Sequence, residues 1–468
     1  MVEERQTHTV RPPWNVEGMR VLVVGAARTG RAAARLLVRL GAKVWLVDKA
    51  SESCFPGLRE ELEPLGIMLE FGPHREEPFS WAQGIVVSPG VPPQMELMKE
   101  ARARGVPIVG ELEMASWYLG CPMVAVTGTN GKTTTTTLVG MALESWGKRV
   151  FVGGNIGWPL SLAMQLAQRP QVAVVEVSSY QLEGIESFRP KAAALLNITE
   201  DHLDRHPTME EYRRTKALVF SNQGKGDVAV VNLDDPEAMA AVPAKPSMEV
   251  WGFSLAPDSD GMASIRDGLM QLKVLGKLHT FELERTWLKG PHGAQNAMAA
   301  ALCSCAMGCA VEVVFKALEE FRGLEHRMER VGEIAGVSFV NDSKATNVGA
   351  AVPAIMGADG KVVWIGGGKD KGIDFSKLRG PLREKARAAV LLGEAARRME
   401  EALRGVVPVH LVRDMEEAVP LAFTLAVAGD TVLLSPACSS FDQYRDYEER
   451  GAHFKEIVSR LVSQTQNR

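Results

Sequence analysis

The sequence predicts an α/β protein of three tandem domains, in which an N-terminal and a C-terminal α/β domain flank a central domain with a parallel sheet. Short apolar runs typical of buried strands alternate with helical stretches along almost the whole chain. The length of 468 residues also exceeds what one hydrophobic core usually organises. We place the three domains at residues 1–110, 111–322 and 323–468.

The bulk composition is that of an ordinary globular protein, with 46% hydrophobic and 24% charged residues. The formal net charge of -4, from 53 basic and 57 acidic residues, argues against a nucleic-acid or membrane-surface partner. The first fourteen residues are charged and lack an apolar core, so no signal peptide is predicted, and no run approaches a transmembrane length. Six scattered cysteines without a C-x-x-C pair fit a reducing compartment, so we expect a cytoplasmic protein.

The chain opens with a strand–turn–helix–strand unit. Residues 19–24 form an apolar strand, 25–30 form a glycine-bearing turn, and a helix runs to about Leu40 before a second strand ends at Asp48. This order is typical of a Rossmann-like dinucleotide fold, but Ala27 stands where the fingerprint needs its middle glycine. The unit predicts a nucleotide-sized ligand and leaves an NAD-dependent dehydrogenase open as an alternative.

A phosphate-binding loop is predicted within residues 124–137, where an apolar strand, a glycine-containing turn and a helix beginning at Lys132 follow one another. Turn amides and a helix N-terminus bind anions, a lysine adds a positive charge, and the Thr133 hydroxyl is a ligand for Mg²⁺. The general pattern has a glycine where Val126 stands, so the match covers its Gly-Lys-Thr core. The loop predicts a P-loop ATPase-like central domain that binds ATP and Mg²⁺.

Further polar residues follow neighbouring strands of the central domain. Glu176 lies at the end of the predicted strand 172–177, and His202 follows the predicted strand 192–196. Because Mg²⁺ prefers oxygen ligands, Glu176 is the first candidate ligand, whereas a histidine in such a loop more often makes an ordinary hydrogen bond. Lys216 lies on a helical stretch, and the sequence pattern alone indicates a solvated lysine.

Two small-residue loops follow strands of the last domain. The loop 366–371 is either a second anion site or a plain turn. The loop 435–440 is predicted to follow a strand and to precede a helix, which would place hydroxyls and helix-start amides where a carboxylate can dock. Ahead of this domain, residues 248–283 predict a small antiparallel addition, and residues 294–321 predict two helices.

These residues alone indicate an ATP-using, Mg²⁺-dependent enzyme with further anion sites. They leave a kinase, an ATPase and an ATP-driven ligase open. A non-catalytic nucleotide-binding regulator is a further alternative, which the joint presence of the phosphate-loop lysine and the neighbouring polar residues disfavours.

The motifs resemble those of the Mur ligases and the folylpolyglutamate synthetases, from Val21 to Ile457. The runs similar to shared family motifs are 128–134, 176–179, 197–204 and 326–327. Within the Mur ligases, the runs similar to the members that add D-glutamate are 178–183, 341–347, 435–444 and 449–451. The Asp-Asn-Pro-Arg motif expected of the diaminopimelate-adding members is absent from the sequence.

This resemblance implies a monomeric ligase of peptidoglycan synthesis that joins D-glutamate to UDP-N-acetylmuramoyl-L-alanine at the expense of ATP. The alanyl carboxylate would attack the γ-phosphate of ATP, and the amine of D-glutamate would then attack the acyl phosphate. In such phosphoryl transfer the protein mainly positions groups and neutralises charge. Another amide ligase of the same family is the alternative.

The resemblance also implies roles for single residues. Lys216 would be carbamylated, because an ammonium near two Mg²⁺ ions would be repelled, whereas a carbamate is an anionic oxygen ligand. The implied catalytic residues are Lys132, Glu176, His202 and Lys216, and the implied ligands of two Mg²⁺ sites are Thr133, Glu176, His202 and Lys216. The implied ATP contacts are Gly128, Thr129, Asn130, Gly131, Lys132, Thr133, Thr134, Asn296, Arg327 and Asp342.

The implied substrate contacts fall into four groups. They are Arg28, Thr29, Asp48, Ser88 and Gly90 for the uridine diphosphate, Asn155 for the muramoyl group, Lys344 and Thr346 on the substrate side, and Lys371, Ser440 and Tyr447 for D-glutamate. One departure concerns ATP: the family often has His-Asn-x-x-Asn, and here Gly293 follows His292. The first asparagine amide is therefore missing, whereas Asn296 keeps the second.

Overall fold

The computed structural model describes residues 13–92, 94–201, 205–257, 259–274, 276–288 and 290–466. Three β-sheets with flanking helices confirm the predicted α/β class. By backbone contacts the chain forms two units, and the first holds the first two sheets, with described residues up to Ile198, from 205 to Arg285, and Ala294–Glu320. The second unit holds Thr199–Asp201, the described part of Thr286–Gly293, and the chain from Phe321 onward. The domain boundaries at 110 and 322 stay predictions.

The first sheet has five parallel strands in the order β3-β2-β1-β4-β5. Its strands are β1 (Arg20–Val24), β2 (Lys43–Asp48), β3 (Met68–Phe71), β4 (Gly84–Val87) and β5 (Ile108–Gly110). Its helices are α1 (Arg28–Arg39), α2 (Leu58–Leu62), α3 (Glu76–Trp81), α4 (Glu96–Ala103) and α5 (Glu111–Leu119). The central position of β1 places the turn after it next to the ends of β2 and β4, which is where open α/β sheets bind ligands.

The second sheet has nine strands in the order β14-β13-β12-β11-β10-β9-β6-β8-β7. Its strands are β6 (Met123–Thr127), β7 (Val150–Gly154), β8 (Val172–Glu176), β9 (Ala192–Leu195), β10 (Val228–Asn232), β11 (Glu249–Ser254), β12 (Ala263–Arg266), β13 (Leu269–Val274) and β14 (Lys277–Glu282). The helices of this part of the chain are α6 (Lys132–Ser145), α7 (Ser179–Leu182), α8 (Met209–Ala217), α9 (Pro236–Ala240), α10 (Gly290–Ala306) and α11 (Val311–Glu320).

The addition predicted at 248–283 as antiparallel is parallel in its first half. β11 pairs in parallel with β10, and β12 pairs in parallel with β11, so only the β12–β13 and β13–β14 pairs are antiparallel. The reason is the connection, because helix α9 lies between β10 and β11 and a helical crossover brings a strand back in the same direction.

The third sheet has the order β15-β16-β20-β17-β18-β19 and is parallel except for the β15–β16 pair. Its strands are β15 (Glu329–Ile334), β16 (Val337–Asn341), β17 (Val362–Gly367), β18 (Ala386–Leu392), β19 (Val409–Leu411) and β20 (Thr431–Leu434). Its helices are α12 (Val348–Gly357), α13 (Arg379–Lys385), α14 (Ala396–Leu403), α15 (Met415–Leu425) and α16 (Tyr447–Gln466). Short 3-10 helices lie at Glu52–Cys54, Glu63–Leu65, Leu160–Met164, Leu218–Phe220, Leu283–Arg285 and Phe375–Leu378.

The loop after β20 differs from its prediction. No helix follows Ser440 directly, because α16 begins only at Tyr447 and the intervening residues form turns. Helix-start amides therefore do not adjoin Ser440, and the loop offers side chains and turn amides instead.

Helix α5 joins the packing of the first two sheets. Leu112 and Trp117 of α5 belong to one buried cluster with residues of both sheets. Glu113, which is fully buried, accepts hydrogen bonds from Trp117 Nε1 at 2.7 Å and from the backbone amides of Ser187 and Phe188 at 2.8 and 2.9 Å. These donors satisfy the buried carboxylate. Among the described helices none is long and apolar enough to cross a membrane, and all six cysteines are free thiols.

Candidate active site

The phosphate loop joins β6 to α6, as predicted. Gly131 caps α6 with φ 84°, and Gly128 has φ 147°, both in the region that favours glycine. A Cβ on Gly131 would lie 2.3 Å from Asn296 Oδ1, so no other side chain fits this turn without movement. The turn leads directly into the N-terminus of α6, where amides attract anions.

Asn197, which follows β9, holds the loop in this shape. Its carbonyl accepts from the Thr129 amide at 2.9 Å, and its side-chain Oδ1 accepts from the Asn130 amide at 2.8 Å. Its Nδ2 donates back to the Asn130 carbonyl at 3.1 Å. In the sequence, Asn197 was recognised only as part of the motif 197–204, without this role. Its position directly after β9, the strand next to β6, is the feature from which the role could have been predicted.

The Lys132 side chain lies over the same loop. Its Nζ donates to the carbonyls of Gly128 and Thr129 at 2.9 and 2.8 Å. These bonds keep the ammonium within the loop turn, next to the amides that begin α6. A positive charge held there adds to the partial positive charge of the helix N-terminus, and both attract an anionic ligand.

The Glu176 carboxylate contacts residues from the loops that follow the two neighbouring strands, β6 and β7. Glu176 ends β8, is only 2% exposed, and accepts from Thr133 Oγ1 at 2.7 Å through Oε2 and from Asn155 Nδ2 at 2.8 Å through Oε1. Since β8 lies between β6 and β7, the loops after all three strands converge on this carboxylate. The structure thus brings together a hydroxyl, a carboxylate and an amide that the sequence placed 43 and 21 residues apart.

Lys216 is buried, which contradicts the solvated lysine that the sequence pattern alone indicated. It is 1% exposed, and its Nζ donates to the Gly128 carbonyl at 2.9 Å. Its ammonium also lies 4.7 Å from the ring centroid of Tyr212, one turn earlier on α8, and the Tyr212 hydroxyl is 3.3 Å from Thr129 Oγ1. The tertiary contact with a loop 88 residues away in sequence explains the burial, and a helix pattern cannot show it.

The Tyr212 ring beside Lys216 packs against the His206 ring, a contact that was not predicted from the sequence. The two rings pack with centroids 5.2 Å apart, and His206 Nε2 lies 3.0 Å from Ser179 Oγ. Burial lowers the pKa of the His206 imidazole, which keeps the ring neutral near pH 7. The four-residue spacing from Tyr212 to Lys216 on one helix is the signal that could have found the tyrosine.

The remaining residues predicted to bind ATP in this unit differ in what they contact. Asn296 Oδ1 accepts from Thr135 Oγ1 at 3.3 Å, beside the turn at Gly131. Thr134 is half-buried in the first turn of α6. His202, predicted as a catalytic and metal-binding residue, lies outside the described residues.

The structure explains why a glycine stands at position 293 in this chain. A Cβ at this position would lie 2.4 Å from the carbonyl carbon of Leu288, so the backbone of the preceding segment occupies the space that an asparagine needs. The missing family asparagine is thus linked to a tight backbone approach at the start of α10. Restoring the asparagine would require this segment to move.

The loops of the first sheet place their predicted substrate residues side by side. Asp48 at the end of β2 accepts from the amides of Ala26 and Ala50 at 2.7 and 2.8 Å, so it shapes the turn after β1. Ser88 at the end of β4 donates to the Gly25 carbonyl at 3.3 Å. Arg28 and Gly90 are exposed and Thr29 is half-buried at the same edge.

In the second unit, the Arg327 charge interacts electrostatically with the buried Asp342 carboxyl. Asp342 is 7% exposed and accepts from Ser435 Oγ at 2.9 Å and from the Met328 amide at 3.2 Å. Burial raises its pKa to about 7, and the Ser435 hydrogen bond and the Arg327 charge oppose that shift. Asp342 is thus a buried carboxyl that titrates near neutral pH.

The residues of the second unit that are predicted to contact D-glutamate or the substrate side lie on loops of the third sheet or, in the case of Tyr447, at the start of α16. Lys344 Nζ donates to the Tyr447 hydroxyl at 2.9 Å and lies 4.7 Å from its ring centroid. Ser440 is 3% exposed in the loop after β20, whereas Lys371 is exposed after β17 and Thr346 is half-buried before α12. β17 and β20 are adjacent, so these loops leave the same edge of the sheet.

The segment Thr199–Asp201 belongs to the second unit, which its sequence position after β9 did not predict. Asn347 caps α12 through a 2.8 Å bond from the Ala350 amide to Oδ1, and its Nδ2 donates to Asp201 Oδ2 at 3.1 Å. Lys377 Nζ donates to Glu200 Oε2 at 2.5 Å. These contacts hold Glu200 and Asp201, which are the last described residues before His202 in the sequence.

Comparison with known proteins places the chain in a family. Family models described as the MurD-like N-terminal domain, the Mur ligase middle domain and the Mur ligase glutamate ligase domain match residues 19–110, 126–304 and 326–438. A relative from Geobacter sp. (strain M21), named UDP-N-acetylmuramoylalanine–D-glutamate ligase, is 44% identical over 443 residues, or 95% of this chain and 98% of that protein. A relative of the same name from Citrifermentans bemidjiense is 44% identical over 94% of this chain and 97% of its own.

The chain belongs to the Mur ligase family.

Solved Mur ligase structures share the fold at low identity. The pseudomurein peptide ligase type C from Methanothermus fervidus has a TM-score of 0.61 at 19% identity, covering 95% of this chain and 100% of its own. The UDP-N-acetylmuramate–alanine ligase MurC from Thermotoga maritima has a TM-score of 0.59 at 19% identity, with the same coverage. The MurF ligase from Thermotoga maritima, solved in complex with ADP, has a TM-score of 0.59 at 18% identity over 95% of this chain and 96% of its own. These matches confirm the fold class.

As a Mur ligase, the chain has a phosphate loop whose residues suit a magnesium nucleotide. Two glycines allow the tight turn into α6, a lysine lies over that turn, and the Thr133 hydroxyl donates to the buried Glu176 carboxylate. Hydroxyl and carboxylate oxygens are the ligands that Mg²⁺ takes at nucleotide sites. Within the described residues, no group of three His, Cys, Asp or Glu side chains could hold a metal ion by itself. The Thr133 hydroxyl and the Glu176 carboxylate fit an ion that is shared with phosphate oxygens and water.

Proposed function

We propose that this Mur ligase joins D-glutamate to UDP-N-acetylmuramoyl-L-alanine with hydrolysis of ATP to ADP and phosphate. The near full-length match to relatives named for that reaction, at 44% identity, carries the proposal. The site geometry supports it, because one edge of the central sheet holds a phosphate loop and a buried carboxylate. ATP and a UDP-linked precursor are cytoplasmic substrates, so a cytoplasmic enzyme that works as a monomer, without a nucleic-acid or membrane partner, is part of the proposal.

ATP would be held through the turn Gly128–Gly131 and the start of α6, which includes Thr134. Lys132 already lies over the turn and would pair with the β- and γ-phosphates. Asn296, Arg327 and Asp342 are proposed as further contacts to the nucleotide. Charge neutralisation and positioning are the main contributions of a protein to phosphoryl transfer.

Thr133 and Glu176 would hold Mg²⁺, which neutralises phosphate charge when bound. Lys216 is proposed to carry a carbamate, because its side chain is buried within hydrogen-bond distance of the loop. The deprotonated form of a lysine amine reacts with CO₂, loses a proton and then presents oxygen ligands. His202 is proposed as a ligand of a second ion. Before any modification, the Lys216 amine is positioned by the Gly128 carbonyl and the Tyr212 ring.

The nucleotide-sugar substrate would bind along the loops of the first sheet. Arg28, Thr29, Ser88 and Gly90 lie at its edge, and Asp48 fixes the turn after β1. Asn155, which Glu176 orients, would contact the muramoyl group.

In the second unit, Lys371, Ser440 and Tyr447 are proposed to bind D-glutamate. Lys344 and Thr346 are proposed to contact the reacting end of the substrates. An ammonium and hydroxyls suit the two carboxylates of this amino acid.

The proposed chemistry has two steps. A carboxylate oxygen of the L-alanyl group attacks the γ-phosphorus of ATP. The bond between the γ-phosphorus and the oxygen that bridges the β- and γ-phosphates breaks, and ADP leaves. The neutral amine of D-glutamate then attacks the acyl carbon, phosphate leaves with the transferred oxygen, and the amine loses a proton to solvent. The products are the amide, ADP, phosphate and one proton.

An isotope experiment tests this proposal. The full chain is incubated with ATP, Mg²⁺, D-glutamate and a nucleotide substrate whose alanyl carboxylate carries oxygen-18. We expect an ATP-dependent amide product and phosphate that contains one oxygen-18. Amide formation with unlabelled phosphate would contradict the acyl phosphate, and the absence of any ATP-dependent amide would contradict the proposed function.

A further inference from the structure

Arg450 is a buried arginine in the first turn of α16, three residues after Tyr447. The residue is only 2% exposed. Nε donates to Ser343 Oγ at 3.0 Å, and Nη2 donates to the Ser343 carbonyl at 2.8 Å. Both Nη1 and Nη2 donate to the Cys438 carbonyl at 3.1 Å. The guanidinium is thus held by four hydrogen bonds to two residues.

All of these acceptors are neutral. None of the ion pairs among the described residues includes Arg450, so its charge has no carboxylate within ion-pair distance there. Burying a cation without a paired anion is unfavourable, and proteins tolerate it where the charge has a use. Burial lowers the pKa of Arg450 to about 10, so the guanidinium is still charged at neutral pH.

The two residues that Arg450 joins stand next to predicted amino-acid residues. Ser343 immediately precedes Lys344, and its hydroxyl also donates to the Tyr447 carbonyl at 2.8 Å. Cys438 lies two residues before Ser440 in the loop after β20. One buried side chain therefore connects three segments that carry predicted contacts to D-glutamate or to the reacting end.

A fourth segment approaches the same guanidinium. A Cβ on Gly368 would lie 3.2 Å from Arg450 Nη1 and 2.3 Å from the Ser439 carbonyl, so glycine lets the loop after β17 pass close by. That loop carries Lys371 three residues later. The loops after β16, β17 and β20 and the start of α16 thus all meet at Arg450.

Ser439 adds a second, independent sign of a ligand. It is 4% exposed, and its hydroxyl has no hydrogen-bond partner among the described residues. A buried hydroxyl without a partner is unusual, and a ligand or ordered water commonly supplies the missing bond. The nearby cavity lined by Gly368, Asp442 and Arg450 measures about 10 Å³, room for one water molecule, so an amino acid must bind at the loops outside it.

We propose that Arg450 is the positioning residue of the amino-acid site, and that its buried positive charge, which no carboxylate of the described residues approaches to ion-pair distance, makes the site select an amino acid with a side-chain carboxylate. This inference rests on the proposed function. Arg450 aligns the segments of Lys344, Ser440 and Tyr447 through its planar fork, which a lysine cannot reproduce. Its positive potential is stronger in a low-dielectric interior, and it favours a second negative charge on the ligand.

The test uses three variants of the full chain, after the wild type has been shown to ligate D-glutamate. Arg450→Met removes the charge, Arg450→Lys keeps the charge without the fork, and Arg460→Met is the control. Arg460 lies on the same helix and pairs with Glu416 on the surface. For each variant, kcat and KM are measured for D-glutamate and ATP, and D-glutamate is compared with its uncharged analogue D-glutamine.

We expect Arg450→Met to raise the KM for D-glutamate at least about tenfold and to lower the preference for D-glutamate over D-glutamine by a similar factor. The KM for ATP should stay within about twofold, because ATP binds through the phosphate loop. Arg450→Lys should raise the KM for D-glutamate but keep the preference for the carboxylate. Arg460→Met should match the wild type in every constant.

Two results would overturn the inference. One is an unchanged preference in Arg450→Met, and the other is an equal rise of the KM values for D-glutamate and ATP, which indicates a general loss of structure. Should Arg450→Met fail to fold, Ser343→Ala removes the acceptor of Nε while keeping the charge. A KM for D-glutamate equal to that of the wild type in Ser343→Ala would then refute the positioning role. Failure of the wild type to use D-glutamate refutes the proposed function instead.

Discussion

The Thr133 hydroxyl donates to the Glu176 carboxylate at 2.7 Å, which ties the first turn of α6 to the end of β8. The same carboxylate accepts from Asn155, so the loops after three adjacent strands share one buried anion. The Thr133 hydroxyl oxygen and a Glu176 carboxylate oxygen therefore lie side by side at the phosphate loop, where both could bind the Mg²⁺ of a nucleotide.

Thr133→Val and Glu176→Gln should each lower ATP-dependent turnover by at least about a hundredfold, because each removes a proposed oxygen ligand of Mg²⁺. The matched control is Thr136→Val on the same helix. The Thr136 hydroxyl is buried without a hydrogen-bond partner among the described residues, so its removal should leave turnover unchanged. Steady-state rates over a range of Mg²⁺ concentrations check this, and normal turnover in Glu176→Gln would contradict the metal role.

Lys132→Ala should abolish turnover, with a loss of at least about a thousandfold, because the side chain supplies the positive charge over the loop. Lys148→Ala is the control, since this lysine follows the same helix and packs on Trp146 at 4.3 Å. Single-turnover phosphate release measures the effect. Appreciable residual activity in Lys132→Ala would rule out the phosphate role.

Lys216→Ala should lose activity and regain part of it when short carboxylates such as formate or acetate are added. The variant leaves space where a 1% exposed side chain stood, and a small carboxylate can place oxygens there. Lys225→Ala, at an exposed position, is the control. Rescue separates a chemical role from a loss of packing, and normal activity in Lys216→Ala would end the carbamate hypothesis.

Gly293→Asn restores the asparagine of the family pattern, yet it should lower the thermal midpoint and leave the KM for ATP no better. The reason is that the Leu288 carbonyl carbon lies 2.4 Å from the position of the new Cβ. Gly380→Ala is the control, because nothing lies within 4 Å of its Cβ position. A more stable Gly293→Asn protein with tighter ATP binding would show that the backbone approach is not restrictive.

Asp342 should make stability depend on pH. Its pKa is raised from 3.8 to about 7, so between these values the folded state holds the proton that the unfolded state releases. The stabilisation from this group is present below about pH 4 and is lost as the pH rises to about 7. The loss is at most about 4 kcal/mol, from 1.36 kcal/mol per pKa unit.

Asp342→Asn cannot ionise, so its stability relative to the wild type should increase from pH 5 to pH 8. Thermal or urea unfolding of both proteins at several pH values measures this difference. A difference that does not change with pH would contradict the raised pKa.

The sequence predicted the phosphate loop well because its signals are local. The apolar strand before Gly128, the glycine turn and the helix start at Lys132 all lie within fourteen residues, and each has its own stereochemical requirement. Glu176 was placed correctly for a related reason, since parallel strands end at one edge of their sheet.

Features that depend on distant contacts were not predictable in this way. Lys216 lies on a helix that is rich in charged residues, and only its bond to the Gly128 carbonyl shows that it points inward. Arg450 was quoted as part of a motif without a role, because its meaning comes from Ser343 and Cys438 on two other loops.

Short elements were also missed. β3 and β5 have four and three residues and lack the alternation that marks a strand, and their pairing partners stabilise them. The β15–β16 pair was missed because glycines interrupt its apolar pattern at Gly332 and Gly336. The late start of α16 follows from the turns after Ser440, which a helix-like pattern cannot reveal.

The most direct measurement is phosphate release from ATP by the full chain with UDP-N-acetylmuramoyl-L-alanine and one of four amino acids. These are D-glutamate, L-glutamate, L-lysine and diaminopimelate. We expect sustained turnover with D-glutamate alone. Turnover with another of these amino acids, or with none of them, would contradict this expectation.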